Sequence, residues 1–218
     1  MDDYAQRFGS LSSSGVYEFS AARQGTIVGL LSIGSLFGAL VAGKLADLIG
    51  RRLSISASAF FACIGTAIEI SSSHHWVQFA MGRFVTGLSI GAMSVVVPMY
   101  QSESTPAKIR GVIVSSYQLL ITLGIWTAEM VNWGTHKSYT NSAAWRIPNG
   151  LTFAWALLLG TGILFLPESP RYAYAQGRIE EARQSISKLV GLPPNSTIVN
   201  KQIADIKAKL DEESESSA

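Results

Sequence analysis

Apolar residues are not spread evenly along this chain; they gather into five long runs separated by short polar links. The runs cover Gly25 to Ala46, Leu53 to Ile70, Trp76 to Tyr100, Val112 to Val131 and Asn149 to Leu166. A helix needs roughly 20 mostly apolar residues to cross about 30 Å of hydrocarbon, and each run has that length. Charges inside them are few: Lys44, Glu69 and Glu129 stand near run ends, Arg83 stands well inside the third, and the fifth has none. Buried helices of a soluble protein would keep a polar stripe, and these runs lack one over most of their length. The pattern predicts five transmembrane helices.

Both ends of the chain change character. Residues 1–24 are polar and serine-rich, without the basic start and apolar run of a signal peptide. After Leu166, Ile179, Ala182, Ile186 and Leu189 recur at spacings of three and four, which predicts an amphipathic helix. Gly191-Leu-Pro-Pro ends it, because proline lacks the amide donor and clashes with the preceding turn. Ser196 can cap a second helix striped by Val199, Ile203, Ile206 and Leu210, and Asp211 to Ala218 read as an acidic solvated tail. The expected organisation is an extracellular segment 1–24, a five-span bundle 25–166 and a cytoplasmic helical segment 167–218.

Composition narrows the choice of function. Only 15% of the 218 residues are charged, against about 25% in soluble domains. Seventeen basic residues (Lys and Arg) against 15 acidic give +2, which is no footprint for nucleic acid. One cysteine, Cys63, excludes an internal disulfide framework and a multi-thiolate zinc site. Basic residues mark the cytoplasmic loops of membrane proteins. Lys44, Arg51 and Arg52 lie between the first and second spans, Lys108 and Arg110 between the third and fourth, and Arg171, Arg178, Arg183 and Lys188 after the fifth. That side is therefore expected to be cytoplasmic. An odd number of spans then puts Met1 outside, which is most simply explained by a further helix encoded ahead of it.

Arg83 is the costliest residue, since a cation in hydrocarbon costs at least a few kcal/mol unless paired or hydrated. It either makes a structural pair inside the bundle or belongs to a proton- or substrate-linked site. No acid within the spans stands at an obviously matching depth; Glu69 and Glu129 are expected to reach the interface. Gly34, Gly38 and Ala42 on the first span, with Gly87 and Gly91 on the third, predict close helix contact. Gln118 and Thr122 lie one turn apart on the fourth span, and an amide suits vicinal sugar hydroxyls because it both donates and accepts. A lone glutamine also serves as glue between helices. Cys63 reads as a packing residue, the pair His74-His75 lacks further ligands, and nothing calls for a metal or cofactor. Asn195-Ser-Thr fits a glycosylation acceptor but falls on the cytoplasmic side.

Opposed charges recur in the cytoplasmic loops. Asp47 precedes Arg51-Arg52, Glu103 and Arg110 flank Pro106, and Glu168 and Arg171 frame Ser169-Pro170. Exposed pairs are worth little singly, often under about 1 kcal/mol, so their value would lie in biasing a two-state equilibrium.

With these motifs the chain resembles the sugar porter family of the major facilitator superfamily, and within it the fungal hexose transporters. The resemblance is carried by Gly43…Asp47…Gly50-Arg51-Arg52, Gly82-Arg83-Phe84…Gly87, Pro98-Met-Tyr-Gln-Ser-Glu103…Pro106…Arg110-Gly111, Tyr117-Gln118-Leu…Thr122-Leu-Gly124-Ile, Asn132-Trp-Gly-Thr, Trp145-Arg146-Ile-Pro148, Pro167-Glu-Ser-Pro-Arg171 and Gly177-Arg-Ile-Glu-Glu-Ala-Arg183. It implies an all-α, partial major facilitator-type bundle matching the second to sixth of twelve spans plus cytoplasmic helices. It implies no enzyme, but transport of a monosaccharide (a hexose) by proton symport or facilitated diffusion, within a larger protein of the plasma membrane. Gln118, with Thr122 beside it, would contact the sugar. Asp47, Arg51, Arg52, Glu103, Arg110, Glu168 and Arg171 would form the cytoplasmic gate network. Arg83 would pair with an acid on a first span that this chain lacks, as it lacks the carboxy-terminal half. A non-transporting sugar sensor of the same fold is the alternative.

Overall fold

The computed structural model describes residues 10–11, 17–18, 20–72, 75–106 and 108–216. Most of the expected extracellular segment, and His74, lie outside the described residues. Within that segment Ser10–Leu11 (β1) pairs antiparallel with Tyr17–Glu18 (β2). Everything else regular is helical: α1 (Ala21–Ile49), α2 (Arg51–Ser71), α3 (Trp76–Ser104), α4 (Arg110–Ser138) and α5 (Ala143–Gly162), the last continued by a 3-10 turn Ile163–Phe165. Three more helices follow, α6 (Pro170–Ala175), α7 (Ile179–Val190) and α8 (Thr197–Ser216). The chain is an all-α, multi-pass membrane protein: five of these helices are long and apolar enough to span a bilayer.

The helices outrun the apolar windows that predict them. α1, α3 and α4 each have 29 residues, about 43 Å at 1.5 Å per residue, against about 30 Å of hydrocarbon. Once nucleated, a helix gains one backbone bond per added residue, so it runs on into its polar flanks until something stops it. For α1 the stop is Gly50, with φ 94, whose N–H bonds to the Ala46 carbonyl at 3.1 Å. A side chain disfavours that backbone conformation; glycine does not. Thus α2 starts one residue later and runs back. Further along, Gly191 closes α7 in the left-handed conformation, and the Ser196 hydroxyl accepts from the Val199 N–H at 3.4 Å at the start of α8. Both match the expected boundaries. The acidic end is exposed over 211–215 as expected, but it is helical: α8 continues through Asp211 to Ser216.

α3 is the centre of the bundle, with α1 on one side and α2 on the other. The small-residue stripe works as expected. A Cβ on Gly34 or Gly38 would strike the backbone carbonyls of Phe84 or Leu88, and one on Gly87 or Gly91 those of Leu31 or Ser35. Close backbone approach of this kind supplies dispersion contact where lipid offers no hydrophobic drive. α5 packs behind α2, where the Ser56 hydroxyl donates to the Gly160 carbonyl at 3.0 Å. One apolar cluster (Ala42, Ala46, Ile55, Val96, Tyr100, Ile163) lies at the Gly50 end, and a second (Ile27, Phe79, Ala80, Trp145) at the opposite end. α4 stands apart; among its described residues only Thr135 is buried.

Candidate functional site

At the Gly50 end the chain brings charges from distant segments into one knot. Glu168, just past the fifth span, is 7% exposed. Its Oε1 accepts three backbone N–H groups, from Arg51 at 3.0 Å, Arg52 at 3.1 Å and Ser169 at 2.9 Å. The first two are orphan donors of the first turn of α2, so Glu168 caps that helix from 116 residues away and meets the positive end of its dipole. Arg51 is the second hub. Its guanidinium pairs with Glu103 (Nε to Oε2, 2.9 Å) and Asp47 (3.1 Å), donates to the Ala46 carbonyl at 3.2 Å and lies 5.1 Å from the Tyr172 ring centre. Glu103 also accepts from the Ser169 hydroxyl at 2.5 Å, and the Tyr100 hydroxyl donates to the Pro167 carbonyl at 2.8 Å.

The structure therefore joins Asp47, Arg51, Glu103 and Glu168, and sets Arg52 at their edge, with Nη1 3.4 Å from the Leu166 carbonyl. Arg51 and Glu103 side chains are 10% and 8% exposed. Such a pair punishes removal of one partner by about 3–5 kcal/mol, because the other is left buried and uncompensated. Two expected members sit elsewhere. Arg110 donates to the Thr105 carbonyl at 3.3 Å, at the wall of a cavity of about 370 Å³ between α3, α6, α7 and α8. Arg171 pairs with Glu213 at 2.5 Å and so ties α8 back to the bundle; the helical acidic end is what lets Glu213 reach it. The sequence reading passed over Ser169, Tyr172 and Tyr100. Ser169 had a visible signal, a serine followed by proline at the first helical position, and its hydroxyl does accept from the Tyr172 N–H at 3.3 Å. The two tyrosines had none.

Arg83, well inside α3, does not stand alone. Its partner is present: Glu69, expected at the interface, is instead 3% exposed, with Oε2 3.6 Å from Arg83 Nε and Oε1 accepting from the Thr86 hydroxyl at 2.8 Å. Position along a helix misled here. Glu69 is near the end of α2 yet faces Gly82 of α3, where a Cβ would lie 2.7 Å from its Cγ, so the missing side chain makes room for the carboxylate. Arg83 also borders a cavity of about 570 Å³ between α3, α4 and α5, with Thr127, Asn132, Asn149 and Trp145 on its walls.

Gln118 and Thr122 do share a face of α4, and the Thr122 hydroxyl bonds back to the Gln118 carbonyl at 3.0 Å. Both side chains are exposed, as is Glu129. Cys63 is half-buried against α5, its Sγ 4.0 Å from the Phe153 carbonyl.

Comparison with known proteins extends this picture. Residues 1–218 match the family described as sugar (and other) transporter. The low-affinity glucose transporter HXT1 of Saccharomyces cerevisiae is 41% identical over 210 residues, which cover 96% of this chain and 37% of that one. The high-affinity fructose transporter ght6 of Schizosaccharomyces pombe is 41% identical over 211 residues, covering 96% and 39%. Among solved structures, the xylose transporter XylE of E. coli in a partially occluded inward-open conformation superposes with a TM-score of 0.83 at 25% identity, covering 96% of this chain and 53% of that one. The chain spans little more than a third of the length of the two relatives and about half of the solved structure. The five-span bundle, the glycine contacts and the full-length match agree: the chain belongs to the sugar (and other) transporter family.

Proposed function

We propose that this chain supplies the second to sixth spans and the first cytoplasmic helices of a hexose transporter of the plasma membrane. The observation that carries the reading is the likeness of the whole five-span array to one half of a sugar transporter, with a TM-score of 0.83 over 96% of the chain. A first span and a second half, encoded outside this chain, complete the pathway. Alternating access then rocks one half against the other around a sugar at their interface.

Within that transporter, Gln118 binds sugar hydroxyls and Thr122 lines the same face; both are exposed on α4, the helix that these residues leave open to a partner. Asp47, Arg51, Arg52, Glu103 and Glu168 are the cytoplasmic gate knot, with Arg110 and Arg171 linking it to the cytoplasmic helices. Arg83 is the candidate link to protons. The test replaces Gln118 by cysteine, and Cys63 by alanine, in a transporter completed with the first span and second half of a hexose-transporting relative. Labelling by a small polar thiol reagent should be slowed by a transported hexose and not by a non-substrate sugar alcohol. Labelling that ignores every sugar would remove Gln118 from the binding site.

A further inference from the structure

The break at Gly50 leaves two helix ends to be satisfied, and one short segment satisfies both. In a continuous helix the Arg52 N–H would reach back four residues to the Leu48 carbonyl. Here it goes to Glu168 Oε1 at 3.1 Å, which leaves Leu48 among the unpaired closing carbonyls of α1. The Tyr172 hydroxyl takes that place, donating to the Leu48 carbonyl at 3.0 Å. Glu168 thus caps the amide end of α2 and Tyr172 the carbonyl end of α1. Both press on the turn itself: a Cβ at Gly50 would lie 2.5 Å from Glu168 Oε2 and 3.0 Å from Tyr172 Cε1. Tyr172 is buried, 7% exposed.

The ring has a separate task. Two guanidinium groups lie against it, Arg51 at 5.1 Å and Arg178 at 5.5 Å from its centre. Both are within the reach of about 6 Å at which an aromatic face attracts a cation. Arg51 spends its N–H groups on Asp47, Glu103 and the Ala46 carbonyl, and the ring covers it besides. Arg178 comes from the other side of the turn that joins α6 to α7. Gly177, with φ 75, makes that turn, and the Arg178 N–H bonds to the Ala173 carbonyl at 2.9 Å. Its guanidinium is braced by Glu181 at 2.8 Å, one turn into α7. The start of α7 and the hub of the gate therefore share one ring.

We propose that Tyr172 is a positioning residue of the gate, the joint through which the start of α7 fixes the Arg51 guanidinium. Its hydroxyl holds the end of α1, and its ring keeps water off Arg51. The attraction between Arg51 and Glu103 is strongest where water is excluded, so the ring acts on the gate through that pair. Arg178 supports the ring from α7, and a shift of α7 reaches Arg51 by this route. An aliphatic side chain at 172 fills part of the space but offers no negative face to either cation. The fixing of Arg51 stands on this geometry alone; its effect on switching between access states rests on the transporter reading.

The test reads Arg51 directly by nuclear magnetic resonance, in the chain carrying isotopically labelled arginine and held in lipid nanodiscs. The Arg51 Nε–H signal is identified by its loss in Arg51→Lys. Its exchange with water should quicken about ten-fold in Tyr172→Leu, the size of one desolvated cation–ring contact, and stay near wild type in Tyr172→Phe, which keeps the ring. Arg178→Gln, a change at the surface, should quicken it about three-fold in the otherwise wild-type chain and not at all in Tyr172→Leu, since coupling through a ring vanishes with the ring. In the completed transporter, Tyr172→Leu should cut maximal hexose uptake about ten-fold and move the half-saturating concentration less than about two-fold, with Tyr172→Phe recovering most of the rate. Unchanged Arg51 exchange in Tyr172→Leu overturns the proposal, and so does an Arg178→Gln effect that survives without the ring. Uptake that ignores Tyr172→Leu overturns the role in the gate. A chimera that moves no hexose with Tyr172 in place counts against the transporter reading, and Arg51 exchange in the chain alone still decides the proposal. If Tyr172→Leu fails to insert, an Arg51 signal that Arg178→Gln leaves unchanged refutes it.

Discussion

Replacing Glu168 by alanine should be among the most damaging single changes in this chain, and the geometry says by how much. One oxygen accepts the N–H groups of Arg51, Arg52 and Ser169 at 2.9–3.1 Å in a buried position. A buried donor left without an acceptor costs about 1–3 kcal/mol. Even at the low end, three such groups give about 3 kcal/mol. Loss of a negative charge at the α2 N-terminus adds up to about 1–2 kcal/mol for a partly buried site. Glu168→Gln separates the two contributions, because its amide oxygen can still accept while the charge is gone; it should cost about 1 kcal/mol. Equilibrium unfolding of the purified chain in mixed micelles, followed by helical circular dichroism as the denaturing detergent fraction rises, measures both. The expected order is wild type, then glutamine, then alanine, with alanine shifting the unfolding constant by a factor of about 100 or more. An alanine variant within about 0.5 kcal/mol of wild type would refute the capping argument. Equal losses for glutamine and alanine would show that only the charge matters.

Two glycines on α1 make a paired test of helix packing. Gly38→Ala drives a methyl into the Leu88 carbonyl and should destabilise by about 1–3 kcal/mol. Gly43→Ala, with nothing within 4 Å of its Cβ, should instead stabilise by up to about 1 kcal/mol through helix propensity, read in the same unfolding assay. In the completed transporter, Gln118→Ala should raise the apparent sugar constant roughly ten-fold, as unpaired hydroxyls cost on the order of 1–3 kcal/mol, measured by uptake at varied hexose concentration. On the expectation that the basic loops face the cytoplasm, native Asn195 should stay unglycosylated in eukaryotic cells while an acceptor sequence inserted in the 139–142 link is modified; a gel-mobility shift on deglycosylation reads both, and modified Asn195 would reverse the topology.

The parts of the fold that depend on one segment were legible. Five apolar windows named the five long helices, proline and glycine at 191–194 ended α7, and Ser196 capped α8. The glycine stripes of α1 and α3 were readable too, since small residues at helical spacing state their purpose even before the partner is known. What escaped depends on pairs of segments. Glu69 looked interfacial by its place in the sequence, but its burial is set by Gly82 on the neighbouring helix, which makes the niche. The acidic run from Asp211 is exposed, as its composition says, but it is helical, and Glu213 on it meets Arg171, an ion pair 42 residues apart. Asp47, Arg51, Glu103 and Glu168 could be expected together because opposite charges cluster in each loop, yet Arg110 and Arg171 turned to other partners. Whether a loop arginine meets a carboxylate (Arg51) or a carbonyl (Arg110) is fixed only when the loops come together.

If these helices are one working part of a sugar pathway, completing the pathway around them should yield hexose uptake. The chain is joined to the first span and second half of a hexose-transporting relative and expressed in cells lacking their own hexose transporters. Membrane insertion is verified by surface labelling, and the chain alone serves as the incomplete control. Saturable uptake of labelled glucose that a competing hexose inhibits is expected from the completed protein and none from the chain alone. An inserted, stable chimera that moves no hexose would contradict the claim.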